Sequence, residues 1–84
     1  MDKAVIDFET SGLNYWEPDF KVLSLSICWK EDELFKHAYS DKPEIIEAYL
    51  KRLADLKTPI IAHNISFEYG VVLCKYPNIK PFLG

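Results

Sequence analysis

The chain has 84 residues, of which 49% are hydrophobic, 14% aromatic and 27% charged, with a formal net charge of -3. That length bounds a single domain with a small core, and the apolar fraction excludes a disordered tail. The acidic balance excludes a protein that grips nucleic acid by bulk positive charge, while leaving room for one that meets phosphates through metal ions, which supply positive charge locally.

Lys3–Phe8 reads as a strand, with Ala4, Ile6 and Phe8 on one face and Lys3, Val5 and Asp7 on the other. Thr10-Ser11-Gly12 ends the run, so Asp7 to Thr10 are expected at the strand's exit. Asn14–Phe20, with Pro18 and polar breaks, reads as a loop. In a second strand, Lys21–Trp29, residues Leu23, Leu25, Ile27 and Trp29 alternate with Ser24, Ser26 and Cys28. A polar turn, Lys30-Glu31-Asp32-Glu33, leads into a third strand, Leu34–Tyr39, making a hairpin. The period then changes. Asp41 is a candidate N-cap, Pro43 and Glu44 suit a first turn, and Ile45, Ile46, Tyr49, Leu50, Leu53 and Leu56 follow helical spacing. Thr58-Pro59 breaks that helix. Ile60-Ile61-Ala62 is a short apolar run suited to a buried strand, and His63-Asn64 marks the turn out of it. Ser66–Cys74 reads as a second helix with Phe67, Val71 and Cys74 on one side, ended by Tyr76-Pro77, and Asn78–Gly84 shows no complete element. The order β-β-β-α-β-α, with a helical crossover into a buried strand, predicts one α/β domain over 1–84: a mixed sheet with helices packed on it.

No apolar run approaches the roughly 20 residues of a membrane span, and the N-terminus shows no signal-peptide pattern. A soluble cytoplasmic protein without a membrane partner is therefore expected. Cys28 and Cys74 lie far apart, and His37 and His63 sit at no zinc-finger spacing, so the cysteines read as small buried apolar residues in a reducing compartment.

Asp7 and Glu9 are the sharpest chemical feature. They stand two apart at the end of an apolar strand, so their side chains start on one face. Two negative charges placed together repel, and a divalent cation offsets that cost, since carboxylate oxygens suit Mg²⁺ or Mn²⁺. The ordinary alternative is a pair of acids facing solvent at a strand edge. A second cluster, His63-Asn64-Ile65-Ser66-Phe67-Glu68, follows the apolar strand and places Glu68 on the first turn of a helix. An acid is electrostatically comfortable there, and Asn64 can donate from its amide. Functional groups of open α/β sheets gather outside the strands' carboxyl ends, so Asp7, Glu9 and Glu68 could converge.

The run Ile6-Asp7-Phe8-Glu9-Thr10-Ser11-Gly12-Leu13 resembles the first motif of the DEDD (DnaQ-like) superfamily of 3′–5′ exonucleases, and Ala62-His63-Asn64-Ile65-Ser66-Phe67-Glu68 resembles its second. The nearest flavour is the N-terminal half of the proofreading domain of phage and bacterial family A DNA polymerases. The resemblance implies an RNase H-like fold and a cytoplasmic setting in a bacterial or phage-infected cell. It implies a two-metal site for Mg²⁺ or Mn²⁺, with Asp7 bridging two ions, Glu9 binding one and Glu68 holding the other. Thr10 and Leu13 would contact the terminal nucleotide of a single-stranded 3′ end, while Asn64 and Phe67 would shape the site.

This sequence departs from the family at two places. Position 68 is Glu where the family usually has Asp, and no Asp or Glu follows Glu68, so the third motif and its acid have no match. The expectation is a split or truncated exonuclease-type domain, on DNA in preference to RNA, whose incomplete sheet is covered by a second chain or by self-association. The competing expectation is an inactive exonuclease-derived module that binds a replication or nuclease partner. A third is a small α/β domain of unrelated function.

Overall fold

In a computed structural model describing residues 3–83, the alternation of the first segment becomes β1 (Ala4–Thr10), with Ala4, Ile6 and Phe8 buried and Val5, Asp7 and Glu9 exposed. It pairs antiparallel with β2 (Val22–Glu31), which pairs antiparallel with β3 (Leu34–Ser40). The β2–β3 turn has positive φ at Asp32 (52°) and Glu33 (66°), the handedness that matches a twisted two-residue hairpin. Helix α1 (Pro43–Asp55) then crosses to β4 (Pro59–Ile61), which lies parallel to β1, and α2 (Ile65–Lys75) leads on toward a two-residue strand, β5 (Phe82–Leu83), parallel to β4. The sheet order is β3-β2-β1-β4-β5. This is the mixed α/β sheet expected, with β5 added in a segment that reads as irregular; the chain's final residue lies outside the described part.

Both helices cover one face. Ile46, Leu50 and Leu53 of α1 and Val71 and Val72 of α2 share a core with Ala4, Ile6, Phe8, Leu25, Ile27 and Ile60. Each of those six strand residues alternates with neighbours that point the other way. The opposite face presents Val5, Asp7 and Glu9 of β1, Ser26 and Cys28 of β2, and Phe35, His37 and Tyr39 of β3, with Ser24 buried on the same side, and among the described residues both helices pack on the other face. Among the described residues no helix is long and apolar enough to cross a membrane.

Several local expectations are corrected. β1 does not end at Phe8 but runs on through Glu9 and Thr10, so the acid pair lies inside the strand. A register shift between Glu9 and Thr10 leaves Leu23 without a partner, and it is exposed rather than inward. Asp41 is not the cap of α1: Lys42 is, with Pro43 at the first helical position and Ile46 N–H donating to the Lys42 carbonyl. The spacing of α1 holds at Ile46, Leu50 and Leu53, whereas Ile45 and Leu56 fall outside the buried stripe. Cys28 and Cys74 are both exposed free thiols, because Cys28 belongs to the uncovered face of β2 and Cys74 to the outer side of α2.

The end of α1 is a close match to a Schellman motif. Thr58 N–H donates to the Leu53 carbonyl (2.9 Å) and Lys57 N–H to that of Ala54 (3.0 Å). Lys57 sits at φ 53°, where glycine is the usual residue. Lys57→Gly is therefore expected to stabilise the protein by roughly 0.5–1 kcal/mol, since the left-handed conformation costs a side-chain-bearing residue about 1–2 kcal/mol and glycine's extra unfolded-state entropy takes part of that back. Urea denaturation would show a higher midpoint at unchanged slope.

Candidate functional site

The site is built where β1 outruns its parallel neighbour. β4 pairs with β1 only at Ala4 and Val5, so farther along β1 has no strand on that side. Glu68, on the first turn of α2, takes the strand's place: Phe8 N–H donates to its Oε2 at 3.2 Å. Phe8 lies between Asp7 and Glu9, so the contact brings Glu68 to the backbone joining the two acids. Asp7 opens onto a shallow groove of about 210 Å³, shared with Val5, Ser26, Cys28, His37 and Tyr39.

Glu68 is only 5% exposed. Burial pushes its carboxyl above the ordinary range, the Phe8 N–H pulls it partly back, and the charges of Asp7 and Glu9 push it up further. Glu68 thus feels the charges of both strand acids. They do not form one ligand set: among the described residues no three His, Cys, Asp or Glu side chains gather closely enough to hold a metal ion. Asp7 and Glu9 project from the uncovered face, whereas Glu68 is turned in toward the strand. Their donors are carboxylate oxygens, the kind that suit a hard cation, and Glu68 is engaged by the Phe8 N–H.

The loop after β1 is tied at its neck and pinned at its middle. Ser11 N–H donates to the Lys21 carbonyl (2.9 Å), and Lys21 N–H donates to Ser11 Oγ (2.8 Å). Thr10, half-buried, donates its hydroxyl to the Gly12 carbonyl at 2.7 Å. Tyr15 lies against Gly70 of α2, where a Cβ would clash with the phenol end of the ring. Phe67 meets Tyr15 edge-on with centroids 5.9 Å apart, and Phe20 at 6.4 Å. Phe67 is thus partly a packing residue that anchors the loop. Leu13, at the loop's tip, remains 79% exposed. Asn64 is the N-cap of α2 and makes no side-chain capping bond, and both it and His63 are exposed.

The structure therefore brings Glu68 to Asp7 and Glu9 through the β1 backbone, and links Thr10 and Phe67 to the same loop. Leu13 and Asn64 stand exposed at the loop tip and the helix start. Sequence reasoning missed the Tyr15–Gly70 contact; its signal was an isolated glycine inside a helical pattern, which marks close approach of another group. No protein-family model matches the chain, and a search of curated proteins finds no relative.

Glu68 has a consequence for pH. Its pKa in the folded state lies above the unfolded value, so its stabilising contribution is full below the ordinary glutamate value of roughly 4.3 and is lost as pH rises through the folded value. Glu68→Gln keeps an oxygen acceptor for the Phe8 N–H and removes the charge. The variant is expected to melt above the wild type at pH 7, with the gap closing as pH falls toward 4. A gap that stays constant with pH would contradict the assignment of this cost to Glu68.

Proposed function

We propose that this chain is an RNase H-like, 3′–5′ exonuclease-type protein that acts on single-stranded nucleic-acid 3′ ends, DNA foremost, with Mg²⁺ or Mn²⁺ held by Asp7 and Glu9. The observation that carries this reading is the Phe8–Glu68 hydrogen bond, which ties the acid of the second motif to the residue between the two acids of the first. The sheet order and the parallel β1–β4 pair support it, because they set the exits of the two motif-bearing strands side by side.

A divalent ion, when bound, would supply positive charge to the scissile phosphate and lower the pKa of an attacking water. The chain's own part is distinct. Asp7 and Glu9 offer carboxylate oxygens on an open face that a phosphate can approach. Without a cation, the same charges repel it. Thr10 and the pinned loop fix where Leu13 stands, so that an apolar side chain meets the terminal base. Asn64 presents free amide donors at the start of α2 to the incoming strand, and Phe67 holds the loop against that helix.

One observation favours the inactive binding-module reading: among the described residues the acids supply two presented carboxylates, not a closed set of three. A nuclease assay and a melting assay separate the two. With a 5′-labelled single strand and Mn²⁺ or Mg²⁺, the wild type is expected to shorten the strand from its 3′ end, and D7A/E9A to be slower by about 10²–10³-fold, the usual cost of removing a group that stabilises developing charge. Mn²⁺ at 100 times its dissociation constant should stabilise the wild type by about 2.7 kcal/mol and leave D7A/E9A unchanged. Stabilisation without shortening supports the binding module. The absence of both shortening and stabilisation would overturn the metal reading.

A further inference from the structure

We propose that β3 is a self-pairing edge: two copies of this chain join through antiparallel β3–β3 contact, centred on His37, into one continuous sheet. β3 is the terminal strand of the sheet and is seven residues long, against two for β5 at the other edge. A terminal strand carries a row of backbone N–H and C=O groups with no strand to meet them, and proteins that stay monomeric guard such an edge with proline, a bulge or free charge. β3 has none of these. It contains no proline, its register with β2 runs unbroken from Leu34 to Ser40, and its one lysine, Lys36, is drawn 3.5 Å to Glu31 on the neighbouring strand.

The sequence of the strand suits itself as a partner. With His37 on the two-fold axis, Phe35 stands opposite the partner's Tyr39, and Tyr39 opposite the partner's Phe35. Lys36 meets Ala38, Leu34 meets Ser40, and no lysine opposes a lysine. Phe35 is 78% exposed and Tyr39 61%, both on the uncovered face, so two aromatic cross-strand pairs form from side chains that are otherwise in water. Such pairs are among the favourable ones in antiparallel sheets. The two-fold axis is perpendicular to the sheet, an isologous arrangement. It sets the uncovered faces of both copies on the same side, and the contact involves none of Asp7, Glu9 and Glu68, although His37 and Tyr39 also line the groove beside Asp7.

A two-strand contact buries less area than a standard interface, so the dimer is weak and depends on concentration. Sedimentation equilibrium is expected to show self-association with a dissociation constant at or below about 1 mM, together with a monomer at high dilution. F35K and Y39E should each abolish the dimer while keeping the monomer's circular dichroism, since both positions are solvent-exposed. The double variant F35K/Y39E places opposite charges across the axis twice, and should restore association with a new sensitivity to salt. A wild type that stays monomeric to about 1 mM overturns the proposal. So does a dimer that neither single substitution weakens, or a double variant that fails to recover association while remaining folded. Each result is read from mass alone, and so is independent of whether the acid site binds metal or cuts nucleic acid.

Discussion

The pleat of β1 governs this molecule. A strand turns successive side chains to opposite faces, so burying Ala4, Ile6 and Phe8 beneath the helices obliges Val5, Asp7 and Glu9 to leave on the other side. The carboxylates are thus held apart from the core by the same residues that make the core. A one-residue slip of β1 would reverse both assignments together, placing two charges among Leu25, Ile27 and Val71. The apolar contacts that stabilise the sheet are therefore also what orient the acid pair, and stability and site geometry cannot vary independently here.

The second consequence is one-sidedness. From β3, the chain crosses over β2 and β1 to β4 through α1, then on toward β5 through α2, and both crossings lie on the same face. Right-handed connection of parallel strands in one direction across a sheet gives this result. The helix face is packed by apolar residues of β1, β2, β4, α1 and α2. The other face mixes acids, serines and aromatics, an arrangement suited to meeting something rather than to being buried. It is also the face on which Phe35 and Tyr39 stand, so a β3–β3 contact would widen it without covering the acids.

Much of this was legible from residue order, because the strong signals are periodic. Alternation located β1, β2 and β3, and helical spacing located α1 through Ile46, Leu50 and Leu53. The departures have local physical causes. An irregularity opposite Glu9/Thr10, invisible to a period-two count, left Leu23 of β2 unpaired and exposed. Proline preorganises a helix start, and at Pro43 it set the first turn one residue later than the capping preference of Asp41 suggested. Cysteine is commonly buried, but the exposure of Cys28 follows from strand parity on an uncovered face. At the site, spacing announced the Asp7/Glu9 pair and the first-turn position of Glu68. The Phe8 N–H as the partner of Glu68 depends on β4 stopping short beside β1, a long-range fact that no local pattern encodes.

The metal site rests on a divalent ion being drawn to the uncovered face at Asp7 and Glu9. Titration of ¹⁵N-labelled protein with substoichiometric Mn²⁺ tests this directly, because the paramagnetic ion broadens amide signals according to their distance from it. Broadening centred on Asp7 to Thr10, reaching the first turn of α2 at Glu68 and sparing α1, is the predicted result. Broadening spread evenly over the surface acids, or centred on the exposed hairpin turn at Asp32 and Glu33, would contradict a metal site at Asp7 and Glu9.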